Sequence, residues 1–556
     1  MSVIESYLQR TRIAYFSMEI ALRSEMHTYS GGLGVLAGDT VRSAADLQLP
    51  MVFVTLASRQ GYLWQEIGPD GRQIDHADPW EPEDWATPLP DVMAATIEGR
   101  NVWIRPWLYE WTSARGHKVP VILLDTHIDQ NDLHDRGITH RLYGGDEAYR
   151  LKQEIVLGIG GEQVLRSLGF NIETYHLNEG HAALLPLALL RREGLGDRRT
   201  YDVEAVKRCC VFTTHTPVEA GHDRFSYEQV ARILGEVVDI DQLKALAGED
   251  QLNMTRLALN LSSYVNGVSR RHAETTRRMF PGYHIHAVTN GVHAGQWAHP
   301  AFARLFGEIA PNWDVQPETL AGAVHLGDDA VWSAHGEAKR ELIALVQKKT
   351  GKSLDPERPI IGYARRMTGY KRAGLLFSDL PRLMEIYRRF PFQIVLSGKA
   401  HPRDESGKQL IHEIAREAHH ARIPIAFVPD YNMDVAKLLV AGSDIWLNTP
   451  QPPLEASGTS GMKAALNGVL NFSTLDGWWL EGCEEGVTGW GIGRDGMPEG
   501  HAWILYEKLE STILPLYFED RSGWIGMMKQ AIARLGPVFN THRMMQAYAR
   551  EAYLLR

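Results

Sequence analysis

Cysteine is scarce in this chain: Cys209, Cys210 and Cys483 are the 3 present in 556 residues, and no two form a CxxC pair. A disulfide scaffold and a structural zinc site are therefore excluded as organising devices. Long apolar runs are missing too. Nowhere do about 18 apolar residues follow one another, so the sequence offers no membrane span. The first residues, MSVIESYLQRTRIAYF, lack the basic head and apolar run of a secretory leader, and a cytoplasmic setting is expected. There is no basic excess: 58 Lys and Arg against 68 Asp and Glu give a net charge of −10. That argues against a general nucleic-acid or membrane-surface binder, so an anionic substrate must be drawn by a local cluster of cations. What remains is an ordinary globular composition, 44% apolar and 23% charged. The length exceeds what one core sustains, and two or more domains are expected.

The most informative stretch runs from Glu455 to Asp476, EASGTSGMKAALNGVLNFSTLD. The small-residue loop Ser457-Gly458-Thr459-Ser460-Gly461 leads directly into a helix-forming segment with Lys463 on its first turn. A loop entering a helix in this way presents free backbone N–H groups at the positive end of the helix dipole, which suits a phosphate. The same positive end disfavours a charged ammonium on Lys463 and makes the amine available for Schiff-base formation. A phosphate cradle beside such a lysine suits pyridoxal phosphate. An ordinary N-cap followed by a surface lysine would satisfy the same spacing.

Ahead of this stretch, IAYFSMEI reads as a strand, and Tyr29-Ser30-Gly31-Gly32-Leu33-Gly34 opens a helix that Pro50 stops. VPVILLDTH reads as a buried strand and EIVLGIGGEQVLRSLGF as a helix. His176, His181, His215 and His222 cluster in sequence, but their spacings fit no zinc signature, and no metal is expected. For His181 the plain alternative is a satisfied core histidine. Asn290 sits in a TNG turn. The second half alternates strand and helix: RPIIGYARR a strand, TGYKRAGLLFSDLPRLMEIYRRF a helix, then FQIVLSGKA, KQLIHEIAREAHH, IAFVPD, MDVAKLLVAG and DIWLNTP. Such alternation implies a parallel sheet with helices on both faces and ligands at the carboxyl ends of the strands. After the first of these strands, Arg365, Arg366, Lys371 and Arg372 crowd around Gly369-Tyr370. They are either an anion site or a solvated charge run.

The segment Glu455–Asp476 resembles the cofactor signature of the glycogen and α-glucan phosphorylases. The match takes in the acid, the turn, the lysine, Leu466-Asn467-Gly468 and Thr474-Leu475-Asp476. GGLG, GYLWQEI, DPW, RLKQE, HLNEGHAAL, TTHTP and the YKR ending extend it over nearly the whole chain. The resemblance implies an α/β GT-B architecture: two Rossmann-like parallel-sheet domains, 1–292 and 293–556, facing a cleft, with the last helices crossing back to the first. It implies pyridoxal 5'-phosphate as a Schiff base on Lys463, with Thr459, Ser460, Arg365, Tyr431 and Trp297 about it. By the same likeness Arg366 and Lys371 grip the reacting phosphate, under the loop Gly31, Gly32 and Leu33. His215 contacts the sugar's 6-hydroxyl region with Glu179 and His181 as supports, while Asn290, Tyr370, Glu455, Ser457 and Gly458 hold the sugar.

This chain departs from the pattern in places. Glu179 stands where many relatives have Asp, Arg365 where many have Lys, Asn432 for an arginine and Asn448 for a glutamine. The gate loop is reduced to Leu142–Asp146, which implies a more open entrance. The implied activity is reversible phosphorolysis of α-1,4-glucans (glycogen, starch or maltodextrin) to α-glucose 1-phosphate with retention of configuration. Its partners would be an α-glucan and inorganic phosphate, with no nucleic acid or membrane, in a homodimer by family precedent. The N-terminal extension that carries control in animal enzymes is missing, implying a constitutively active form. Two other readings stay open. A nucleotide-sugar glucosyltransferase of the glycogen synthase class would share the fold, although Thr28-Tyr29-Ser30 replaces that class's lysine motif before the glycines; the other is a catalytically silent glucan-binding protein.

Overall fold

The computed structural model describes residues 4–192, 201–420, 422–493 and 500–554. Two separate sheets dominate it, and their parallel strands are short and, but for Lys118 and the edge strand His286–Ala287, buried. Such strands fit a parallel sheet covered on both faces. In the first sheet the parallel strands, in chain order, are Ile13–Ser17, Met51–Leu56, Lys118–Asp125, Thr174–Asn178, Cys210–Thr213, Tyr264–Gly267 and His286–Ala287. They lie side by side in the order 3-2-1-4-5-6-7, with the long strand Arg100–Thr112 added antiparallel beyond the third. In the second sheet Ile360–Ala364, Gln393–Ser397, Ile425–Val428, Ile445–Asn448, Leu470–Thr474 and Gly489–Ile492 are all parallel, in the order 3-2-1-4-5-6.

This strand order has a direct consequence for the site. Chain direction across the sheet reverses between strands 1 and 4, where the loops splay apart and leave a crevice at the carboxyl ends. In the first sheet that point lies beside Glu19 and Glu179; in the second it lies between Arg365 and the loop that leads to Glu455.

The segment 368–390, expected to be one helix, is broken. It forms two short turns, Gly369–Lys371 and Ala373–Phe377, before the helix Leu380–Arg389. Arg372 takes a left-handed φ of +50°, and the Asp379 carboxylate accepts the N–H of Arg382 at 3.0 Å as a new N-cap. Pro381 suits the first turn of the helix that follows. Apolar spacing alone did not reveal that second start.

The last helices divide between the two sheets. Arg521–Leu535 packs in the core of the second sheet. Thr541–Tyr548 joins the core of the first, where Met544, Met545 and Tyr548 meet Tyr15 and Phe53. The chain passes between the halves at residue 292 and again near residue 540, and the two crossings are pinned together. Val292 donates its N–H to Phe539 at 3.2 Å, and Thr541 donates to Val292 at 3.0 Å. Among the described residues no helix is long and apolar enough to cross a membrane.

Candidate active site

A cavity of about 580 Å³ is walled by loops from the carboxyl ends of both sheets. Every site residue named from the sequence lies on that wall, from Gly31, Gly32 and Leu33 on one side to Thr459, Ser460 and Lys463 on the other. Polar bonds tie the walls together beside it. Ser269 Oγ donates to the Ala456 carbonyl at 2.7 Å. The hairpin Trp64–Ile67 with Gln73–His76 reaches over, Gln65 Nε2 donating to Gly398 O at 2.9 Å and Gln73 Nε2 to Ala400 O at 2.9 Å.

Lys463 is the fourth residue of the seven-residue helix Ser460–Leu466 and is 6% exposed. Its Nζ lies 3.8 Å from the centre of the Trp297 ring. Burial pushes the ammonium down to about 8, with Arg42 adding to the fall and Asp39 opposing it. The sequence argument reached the same direction through the helix dipole, but loss of hydration is the larger cause. Asn467 fixes the local geometry: its Nδ2 donates to the carbonyls of Lys463 and Trp297, each at 2.9 Å. Ser460 Oγ accepts from Trp446 Nε1 at 3.1 Å.

The four cations after Ala364 separate into distinct tasks. Arg365 Nη2 and Lys371 Nζ both donate to Glu455 Oε2, at 2.7 and 2.5 Å. Burial would raise the Glu455 carboxyl, but the two cations prevail and hold it below the usual range. Arg366 faces the cleft and Gly31, where an added Cβ would come within 3.8 Å of its Nη2. Arg372 turns away and donates to the carbonyls of Thr449 and Pro450 at 2.8 and 2.9 Å. Asp476 holds the Glu455 loop by accepting its N–H at 2.8 Å, and burial, with Glu455 nearby, pushes the Asp476 carboxyl up to about 7. Tyr370 and Tyr431 complete this wall; burial pushes the Tyr431 phenol up to about 12.

On the facing wall the structure identifies a residue that the sequence reading missed. Glu19 is 2% exposed, and its Oε2 accepts the N–H groups of Ser30 and Gly31 at 2.6 and 3.2 Å. The Gly31 N–H is thus taken by a carboxylate and is not free for a phosphate under the loop. Gly32 opens the helix Gly32–Asp46. Glu19 Oε1 also accepts the Tyr143 hydroxyl at 2.9 Å. Tyr143 belongs to the loop Leu142–Asp146, and Asp146 caps the next helix by accepting from Tyr149 N at 2.9 Å. The available signal for Glu19 was an acid near the end of the apolar stretch IAYFSMEI.

Glu179 takes a left-handed φ of +73°. Its carboxylate accepts the N–H groups of Gly180 and His215 at 2.9 and 2.7 Å, so it shapes the loop that carries His215. Burial pushes the His215 imidazole down to about 3, which makes the ring neutral. Asn178 Oδ1 lies 2.7 Å from Nε2. Because Asn178 Nδ2 is committed to Ser17 Oγ, its Oδ1 takes the Nε2 proton, and Nδ1 is left as an acceptor. His181, pushed down to about 4 by burial, stands 3.6 Å from Asp223. Six buried polar atoms of these walls lack a protein hydrogen-bond partner among the described residues: Arg365 Nη1, Asn290 Oδ1, Ser457 Oγ, His181 Nδ1, Tyr62 Oη and Arg150 Nη1. Buried polar atoms without partners call for a polar ligand.

The four histidines of the sequence reading do not converge. His176 bonds Tyr553 and Thr213, and His222 bonds Thr255. A different trio meets instead: Asp46 Oδ2 lies 2.8 Å from His293 Nε2 and 3.1 Å from His542 Nε2. His293 Nδ1 accepts the Gln296 N–H at 3.0 Å, so its proton is on Nε2 and points at Asp46. That protonation makes a hydrogen-bonded staple and is the wrong one for metal ligation through Nε2.

The sequence description of the carbohydrate phosphorylases matches residues 200–488. Maltodextrin phosphorylase of Thermococcus litoralis is 38% identical over 97% of this chain and 70% of its own length. Glycogen phosphorylase of Mycobacterium tuberculosis is 35% identical over 98% of this chain and 71% of its own. Glycogen phosphorylase of Aquifex aeolicus is 35% identical over 97% of this chain and 86% of its own.

Proposed function

The chain belongs to the carbohydrate phosphorylase family, and we infer from this that it is an α-glucan phosphorylase, a glycosyltransferase that splits α-1,4-glucans with inorganic phosphate. We read its two sheets as the Rossmann-like halves of a GT-B architecture, 1–292 and 293–556, in a cytoplasmic enzyme. The observation that supports the reading most is the buried amine of Lys463 in a cleft that also holds Arg365, Arg366 and Lys371.

The residues present fit pyridoxal 5'-phosphate. Lys463 offers an amine depressed by burial, Trp297 a ring face against it, and Arg365 an unpartnered guanidinium nitrogen. Thr459, Ser460 and Tyr431 would complete its surroundings. When bound, the cofactor supplies a phosphate that can exchange a proton with inorganic phosphate, the acid that protonates the departing glycosidic oxygen.

The remaining roles fall to the protein. Arg366 and Lys371 hold the reacting phosphate, and Lys371 and Arg365, drawn to Glu455, are placed to offset like charge between two phosphates. His215, neutral with Nδ1 as acceptor, accepts a hydrogen bond from a sugar hydroxyl near the 6-position, while Glu179 and His181 support that loop. Asn290 Oδ1 and Ser457 Oγ accept further hydroxyls, and Tyr370, Gly458 and Glu455 Oε1 line the same pocket. Gly32 and Leu33 close the phosphate side. Attack on the anomeric carbon from the face that the glycosidic oxygen leaves gives α-glucose 1-phosphate with retention.

The test is the absorbance of the purified protein before and after borohydride, followed by peptide mapping and a phosphate-dependent turnover assay. Cofactor fixed to the Lys463 peptide, with glucose 1-phosphate released from maltodextrin, is the expected result. A colourless protein left unmodified by added pyridoxal phosphate would overturn the cofactor assignment. Binding and transfer of UDP- or ADP-glucose would favour the nucleotide-sugar class instead.

A further inference from the structure

Behind Trp297, away from the cleft, lies a buried carboxylate that the roles above do not use. Asp39, on the helix Gly32–Asp46, is 1% exposed. Its Oδ2 accepts the indole Nε1–H of Trp297 at 2.7 Å and the backbone N–H of His293 at 3.1 Å. Its Oδ1 has no hydrogen-bond partner. Arg42, three residues on, comes only to 3.5 Å and gives its own protons to the carbonyls of Ala21 and Leu22 at 3.2 and 2.8 Å. The nearest guanidinium is thus an ion-pair partner of Asp39 whose hydrogen bonds go to backbone carbonyls instead.

The indole lies between that carboxylate and Lys463. Its edge gives a proton to Asp39 while its face receives the Lys463 Nζ at 3.8 Å. A hydrogen bond from the ring N–H to an anion enriches the ring face in electron density and strengthens its hold on a cation above it. We propose that Asp39 is the counter-charge of Lys463, acting through Trp297, a positioning residue that keeps the amine protonatable and fixed over the indole. The proposal takes its importance from the reading of Lys463 as the cofactor lysine, though the arrangement itself does not depend on it.

Electrostatics agree with the geometry. Burial pushes Lys463 down to about 8, and Asp39 is the charge that resists that fall. The other charges facing the pair are Arg42 on the same helix and Lys437 on the helix Met433–Gly442, itself depressed by burial with Asp434 beside it. Asp46 is occupied by His293 and His542. Without Asp39, Lys463 would face burial and the Arg42 cation.

The experiment is competitive labelling of the full chain, stripped of cofactor, with trace acetic anhydride across a pH series, reading the Lys463 peptide by mass spectrometry. Asp39→Asn keeps an oxygen for the indole N–H but removes the charge. Its Lys463 midpoint should fall by about one pH unit, the low end for loss of a close opposite charge. Trp297→Phe keeps the carboxylate and removes the N–H relay, and its midpoint should fall as well; it also serves if Asp39→Asn does not fold. Unchanged midpoints in the folded variants would overturn the proposal. Borohydride trapping of pyridoxal phosphate on wild type separates the two readings: a midpoint shift without cofactor on Lys463 keeps the counter-charge and discards the cofactor role.

Discussion

Replacing Glu455 by Gln is the sharpest probe of the cation cluster. In the wild type one carboxylate oxygen holds both Arg365 and Lys371, and the three side chains are 10%, 7% and 12% exposed. The substitution leaves two cations facing a neutral amide. Removing one partner of a buried charge pair costs ~3–5 kcal/mol. Because this group opens to the cleft and some water reaches it, the low end applies, ~3 kcal/mol. For a cooperative unit of 150–250 residues that is a fall in Tm of about 6 °C or more. The assay is thermal unfolding at neutral pH in a buffer free of phosphate and sulfate. Adding inorganic phosphate should then raise the variant's midpoint more than the wild type's, since the released cations can take an anion that Glu455 otherwise displaces. At a hundredfold excess over Kd the recovery is about 2.7 kcal/mol. The sign with pH is fixed as well. Glu455 is held below the ordinary carboxyl value, so its contribution is present above the unfolded value of about 4.3 and is lost as pH falls through the folded one. The gap between wild type and variant should close in acid. A variant that melts within about 1 °C of wild type in phosphate-free buffer would refute the clamp.

Other outcomes follow from particular contacts. Glu19→Gln can no longer serve the Ser30 and Gly31 N–H groups and Tyr143 together, and the displaced loop should lower kcat/KM for phosphorolysis about 100-fold, read by initial rates against phosphate. Gly38→Ala would place its Cβ 2.0 Å from the Ala21 carbonyl oxygen, so it should cost ~3 kcal/mol or more, read by urea unfolding. His181, His215, His222 and His272 are all pushed down, to about 4, 3, 4 and 4, by burial. Between those values and about 6.5 the unfolded chain binds the protons, so stability should fall as pH drops through that window, each ring adding up to about 1.4 kcal/mol per pH unit, checked by unfolding between pH 6 and 5.

The expected site residues that the structure gathers around one cavity share one property: most lie in short, locally determined segments. The Ser457–Lys463 turn and the Arg365–Lys371 loop carry their chemistry in neighbouring residues, and strand-to-helix alternation was enough to place them at carboxyl ends. Lys463 was assigned the right direction for a lesser reason, because burial depends on distant residues such as Trp297. Glu19 and Asp39 escaped notice because an acid in an apolar segment announces nothing until the fold removes its water. The helix Leu380–Arg389 was drawn too long because its apolar spacing continues through Asp379, whose capping role depends on the left-handed turn at Arg372. The partition of the four cations was illegible for the same reason. Only the folded loop decides which guanidinium meets Glu455 and which meets the carbonyls of Thr449 and Pro450.

The paired crossings at Val292 and Asn540 have a mechanical consequence. Both covalent links between the halves pass through one small spot, and Gly291 fits there because a Cβ would come 2.2 Å from the Asn540 carbonyl carbon. A body attached at two adjacent points can rotate about the line between them but cannot slide or twist freely, so opening of the cleft is confined to a pivot near that spot. Polar latches such as Gln65 to Gly398 and Gln73 to Ala400 exchange their bonds for bonds to water when they part. A backbone nick at one crossing would leave the halves joined through the other.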